Sequence, residues 1–84
     1  VPVDVVTVER LEHLRLRVTF RDGLSGEVVF RDSHLTGVFE PLRDPGLFAQ
    51  VRCDQGFVSW PGELDLAPDA MYAAIKERGI WELN

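Results

Sequence analysis

Leu14, Leu16, Val18 and Phe20 alternate with Arg15, Arg17, Thr19 and Arg21. This period of two marks a strand with one apolar and one wet face. After Asp22-Gly23 the alternation resumes, with Leu24, Gly26, Val28 and Phe30 set against Ser25, Glu27, Val29 and Arg31. Opposed residues of an antiparallel pair share a face, and both apolar sets are even-numbered, so Phe20 must oppose Leu24. A two-residue Asp-Gly turn would oppose Arg21 with Leu24 and carry charge onto the apolar face. The pattern therefore predicts a three-residue loop with Gly23 in the left-handed conformation of a G1 bulge. The same register sets Arg17 opposite Glu27 on the wet face.

The other elements are read in the same way. Residues 3–11 are rich in β-branched side chains and form a strand, with Val6 and Val8 on one face and Val3, Val5 and Leu11 on the other. Burial of both faces, or a bulge near Glu9, reconciles the two sets. Residues 31–37 form a connector in which Asp32 or Ser33 caps a short helical turn. Pro41 and Pro45 forbid a long helix in the next stretch. Asp44-Pro45 reads as the N-cap and first position of a short helix, about one to two turns through Gln50, with Leu47 and Phe48 inward. A second hairpin pairs Val51-Arg52-Cys53-Asp54 with Phe57-Val58-Ser59-Trp60 around Gln55-Gly56. It puts Val51, Cys53, Val58 and Trp60 on one face, and Pro61 ends it. A last helix runs from Pro68 to about Arg78, with Asp69 at its start and an apolar stripe of Met71, Tyr72 and Ile75 flanked by Ala74. Gly79 is its left-handed cap, which lets Ile80 fold back onto Ile75.

Together these elements predict an α+β fold. It is a small antiparallel sheet built from two hairpins plus an N-terminal strand, with a short central helix and a C-terminal helix packed on one face. Residues 1–84 are read as a single domain. The core is expected to hold Leu16, Val18, Val28, Phe30, Phe48, Val58, Trp60, Met71, Tyr72 and Ile75, with Tyr72 finding a partner for its hydroxyl or leaving it at the surface.

Composition narrows the function classes. Apolar residues are 45% and charged residues 27% of the 84, which argues against disorder. A net charge of −5 argues against direct nucleic-acid binding, which depends on cations meeting phosphates. It suits a basic protein partner, and it also simply keeps a small domain soluble. Cys53 is the one cysteine, so an internal disulfide is impossible and a cytoplasmic location is expected. No apolar run approaches the ~18 residues of a membrane helix, and no basic region precedes an apolar stretch as in a signal peptide.

Candidate chemistry is sparse. Asp32, Ser33 and His34 are the ingredients of a nucleophilic triad, but residues this close in sequence rarely reach the geometry, which is assembled across a fold. His13, His34 and Cys53 lack metal-ligand spacing. Cys53 reads as a small core residue, with Arg52 pointing to the opposite face. Arg15, Arg17 and Arg21 form a basic stripe that Glu27 partly neutralises. Glu63, Asp65 and Asp69 gather at a helix start, where dipole complementarity explains them. No catalytic, cofactor or metal residue is assigned, and an enzyme is not expected. Ile80, Trp81 and Leu83 are the candidate partner-binding residues, because large apolar side chains follow the last helix cap. Closing the domain's own core explains them equally well.

The chain also resembles the bacterial domain of unknown function 2442 family. The resemblance is carried by Val38-Phe39-Glu40-Pro41-Leu42-Arg43-Asp44-Pro45 with Phe48 and Val51, and by Trp60-Pro61 followed by Asp65-Leu66-Ala67-Pro68-Asp69 and Tyr72. The residue 14–20 strand and its Asp22-Gly23 turn add to it. Members often carry Asn-Gly after Trp-Pro, where this chain has Gly62-Glu63. The resemblance implies a small α+β fold with no established activity or catalytic residues. It also implies an antitoxin-like or regulatory module, encoded beside another small protein. The leading expectation is therefore an interaction module that binds and neutralises a small basic protein encoded nearby. The alternative is a regulatory domain that senses a small ligand. A pocket near Trp60 and Asp65 would favour the sensor, and a flat apolar patch around Trp81 the interaction module.

Overall fold

The computed structural model describes residues 4–62 and 64–83. Strand β1 (Val5–Glu12), β2 (Arg15–Phe20) and β3 (Ser25–Phe30) run in sequence. A 3₁₀ turn at Asp32–His34 and a 3₁₀ segment at Gly37–Arg43 lead into helix α1 (Pro45–Phe48). Then come β4 (Arg52–Asp54), β5 (Phe57–Trp60), β6 (Leu64–Leu66), α2 (Pro68–Arg78) and β7 (Ile80–Leu83). The described strands form two sheets, one ordered β1-β2-β3-β7 and the other β4-β5-β6. The α+β class holds, but the two hairpins lie in different sheets instead of one.

The β2–β3 register follows from side-chain parity. Arg17 pairs with Glu27, the Phe20 amide donates to the Leu24 carbonyl at 2.7 Å, and Gly23 has φ +94°. Asp22 Oδ1 accepts from the Leu24 amide at 2.9 Å, which closes the loop from inside. In the second hairpin Asp54 pairs with Phe57 across a two-residue turn. Gln55 and Gly56 both take positive φ there, +53° and +85°, as a type I′ turn requires.

The start of the chain departs from simple alternation. Val6 and Leu11 are extra residues in the β1–β2 ladder, so one bulge lies just past Glu9, as expected, and a second lies at Val6. The bulge at Val6 brings Val5 and Val8 onto the core side and leaves Val6 and Leu11 exposed. Leu14 is not a strand residue: with His13 it forms the turn between β1 and β2, at φ +67°. The 3₁₀ turn at residues 32–34 is capped by the Arg31 backbone, and neither Asp32 nor Ser33 supplies a side-chain cap.

The expected starts of both helices hold, but α1 is a single turn that ends at Phe48, short of Gln50. Asp44 accepts from the Gly46 amide at 3.0 Å and Pro45 opens α1. Helix α2 spans Pro68–Arg78 and ends at Gly79, whose φ is +79°. The tail beyond it forms β7, which pairs in parallel with β3, Val28 against Trp81 and Phe30 against Leu83. Arg31 clasps its far end twice, through an ion pair to Glu82 and a hydrogen bond from its backbone N–H to the Leu83 carbonyl.

One cluster of buried residues joins the two sheets. Its centre is three aromatic rings: Phe30 from the first sheet, Trp60 from the second and Phe48 from α1, with centroids 5.7–5.9 Å apart. The Trp60 indole N–H donates to the Phe48 carbonyl at 3.0 Å, so the buried polar atom is satisfied. Of the expected core, Tyr72 alone is only half-buried; its ring meets Phe20 edge-on and its hydroxyl donates to Asp22.

Candidate functional site

The stretch from Gly37 to Pro45 shows which side chains hold the fold and which do not. Leu42 is fully buried in the core. Arg43 lies outside but donates to the carbonyls of Leu35 and Asp32, at 3.1 Å each, and so ties the 3₁₀ segment to the turn before it. Phe39 sets its ring against His34 at a tilt of 38°, 4.9 Å between centroids. Asp44 caps α1 and Pro45 starts it. Val38, Glu40 and Pro41 have no comparable task. Val38 is 70% exposed, the most exposed of the large apolar side chains described.

Val38 and Pro41 form one wall of a groove of about 560 Å³. Leu47 of α1 adds to it, and Pro61, Gly62 and Leu64, from the turn between β5 and β6 and the start of β6, complete it. None of these side chains carries a hydrogen-bonding atom, and the two prolines lack even a backbone N–H. The lining therefore offers apolar contact and few donors. Gly62 has φ +94°, a left-handed position that asparagine also tolerates, which accounts for Gly62 standing where the resembled family often has Asn. Glu63, the next residue, lies outside the described residues.

Glu40 precedes Pro41 and is exposed; Asp65 follows Leu64 but faces the other side of β6, in one cross-strand row with Ser59 and Arg52, and neither carboxylate makes an ion pair among the described residues. Most arginines are instead engaged elsewhere. Arg15 and Arg17 pair with Glu27, Arg21 with Asp4, Arg31 with Glu82 and Arg43 with Asp32. The basic stripe on β2 is thus a partly neutralised surface.

The other candidates are placed as follows. Asp32, Ser33 and His34 share one 3₁₀ turn, where Asp32 faces Arg43 and the half-buried His34 ring lies against Phe39. Among the described residues, no group of three His, Cys, Asp or Glu side chains converges as metal ligands would. Cys53 is half-buried, and its thiol donates to the Val5 carbonyl at 2.8 Å. Burial, helped by the charges of Asp54 and Asp4, raises its pKa and disfavours the reactive thiolate. Leu83 is buried in the core, while Ile80 and Trp81 are half-buried on β7. The tail therefore packs on its own sheet, and Trp81 is not among the exposed large apolar residues. Among the described residues, no helix is long and apolar enough to cross a membrane.

Sequence reasoning did not assemble the groove. Val38 entered it only through the family resemblance, Pro41 and Pro61 otherwise only as breakers of helix and strand, and Leu47 only as an inward residue. The available signal was an apolar Val38 in a proline-interrupted stretch that no periodicity buries.

Fold and groove define a small two-sheet α+β domain with an apolar cleft between its 3₁₀ segment and its second sheet. A family model described as Protein of unknown function (DUF2442) matches residues 5–77, and the chain belongs to that family. No curated protein and no solved structure matches it.

Proposed function

We propose that this domain is a protein-interaction module that binds a small basic protein through the groove at Val38, Pro41, Leu47, Pro61 and Leu64. The observation that carries this reading is an exposed cleft with wholly apolar side chains on a chain of net charge −5. Burying such a cleft removes apolar surface from water. The net charge of −5 speeds encounter with a cationic protein. A small-ligand sensor draws some support from the groove's place between Trp60 and Asp65, but the lining lacks the convergent polar side chains that orient a metabolite. The antitoxin-like form of the reading rests on the gene company that the family resemblance implies. Its partner is a protein encoded beside this one, and the setting is the cytoplasm.

Co-expression with the neighbouring gene is the test. The expected result is a complex that survives gel filtration and growth arrest relieved by this domain. Two proteins that neither bind nor affect growth would overturn the reading.

A further inference from the structure

We infer that the outer edge of β7 is an interface between two copies of this chain, joined antiparallel through Ile80 and Glu82 so that their first sheets run on as one. It is independent of what fills the groove. Two printed bonds fix which backbone groups β7 offers. The Glu27 amide donates to the Gly79 carbonyl, and the Arg31 amide to the Leu83 carbonyl. Backbone groups alternate sides along a strand, so Gly79, Trp81 and Leu83 turn theirs to β3, while Ile80 and Glu82 turn theirs outward. Strand β7 ends its sheet, so no described strand takes up those outward groups. A free row of N–H and C=O groups is a template for another extended chain. Proline, lysine and bulges commonly blunt such an edge, and β7 has none of them.

The register selects a second copy as the occupant. A two-fold axis brings identical strands together antiparallel. Of the symmetric registers, the one that sets Ile80 against Glu82 of the second copy engages both outward residues of each strand, and it centres on Trp81. Trp81 pairs with the core residue Val28 across β3, so its half-buried indole lies on the core side of the sheet. It then meets Trp81 of the second copy as a non-hydrogen-bonded pair, where side chains come closest, and each indole covers the other. On the opposite face Glu82, already paired with Arg31, lies against Ile80 and not against a second Glu82. Strand β1, the other edge of this sheet, lacks this fit. Its Val5 amide is taken by the Gly56 carbonyl, and bulges at Val6 and Leu11 bound the rest. Phe20 turns its backbone to Leu24, so Arg17 and Glu9 face each other and Val8 and Arg10 turn outward. Joining Val8 to Arg10 of a second copy sets Glu9 directly on Glu9, a like-charge pair that disfavours it.

The test is sedimentation of the chain alone from micromolar to millimolar concentration, with amide hydrogen exchange followed by NMR. The expected result is a reversible dimer in which the Ile80 and Glu82 amides gain protection as concentration rises. Each copy carries −5, so added salt should strengthen the dimer by screening their repulsion. Glu82→Pro and Glu82→Ala separate the edge from the side chain. Both lose the carboxylate, but only the proline loses the outward N–H, which the domain's own sheet does not use, and an edge position tolerates proline. The proline variant should dimerise roughly tenfold more weakly than the alanine variant, since one hydrogen bond is lost in each symmetric half. Ile80→Glu sets a carboxylate opposite Glu82 of the second copy and should weaken the dimer independently, with circular dichroism confirming that each variant is folded. A monomer throughout overturns the inference, as does equal dimerisation of the proline and alanine variants. Concentration-dependent protection at Val8 and Arg10 in place of Ile80 and Glu82 also overturns it, as do shifts confined to the groove residues Val38 and Leu64.

Discussion

At Gly26 the first sheet and α2 come into close contact. A methyl group added there would lie 2.6 Å from Ile75 Cγ2 and 2.7 Å from the Gly79 carbonyl oxygen, where ordinary contact begins at 3.4 Å. To accept it, the helix must lift by about 0.8 Å, which also opens gaps beside Met71 and Ile75. The side chain of Ile75 can turn aside in part. The Gly79 carbonyl cannot, because it accepts from the Glu27 amide at 3.2 Å and fixes the start of β7. Overpacking of this kind costs about 1–3 kcal/mol, and the backbone obstacle places Gly26→Ala at the upper end. Replacing a strand glycine returns about 0.5–1 kcal/mol of backbone entropy. The expected net loss is about 2 kcal/mol, a large share of the ~5 kcal/mol typical of so small a domain. Urea unfolding followed by the combined emission of the buried Trp60 and the half-buried Trp81 reads it. With a slope of about 1 kcal/mol per molar, the midpoint should fall by about 2 M. A midpoint unchanged or raised would refute the close helix-to-sheet approach.

Three further outcomes follow from other parts of the fold. Gly23→Ala meets no atom within 4 Å, so it should cost only the left-handed strain of its +94° φ, about 1 kcal/mol, and clearly less than Gly26→Ala in the same urea assay. Trp60→Phe removes the donor to the Phe48 carbonyl and leaves a cavity among three rings; thermal unfolding should show a loss of about 2–4 kcal/mol. The Asp22–Tyr72 bond should show in the pH dependence of stability. The Tyr72 hydroxyl, then the Leu24 amide, hold the Asp22 pKa below its ordinary value, while the Asp22 carboxylate raises that of Tyr72. Asp22 therefore contributes stability above its unfolded pKa, lost as pH falls through the depressed folded value. Tyr72 contributes below its unfolded pKa, and that is lost as pH rises through the raised folded value. In Tyr72→Phe, unfolding followed across pH should show a weaker decline at both extremes.

Local chemistry made much of the fold legible. Even-numbered parity settled the β2–β3 register, Gln55-Gly56 marked a two-residue turn, and Pro68 and Gly79 bracketed α2. What stayed hidden depends on distant partners. Strand β7 exists because β3 offers it a parallel edge across an intervening helix, and Ile80-Trp81-Glu82-Leu83 is too short to announce that pairing. Strand β6 is shorter still. The turn at His13-Leu14 escaped notice because nothing local marks a leucine at φ +67°. The groove is the same case at the level of function. Val38 and Pro41 meet Pro61 and Leu64 only after the chain has folded, so neither segment alone looks like a site.

The most direct measurement of the central claim is calorimetric titration of the co-encoded protein into the wild-type domain and into Val38→Asp. Val38 is 70% exposed, so the substitution should change folding stability by no more than about 0.5 kcal/mol. The expected result is binding to the wild type and roughly tenfold weaker binding to the variant, despite its extra negative charge. Equal or tighter binding to Val38→Asp, or binding abolished only by Trp81→Ala on β7, would contradict the claim that the groove is the interaction site.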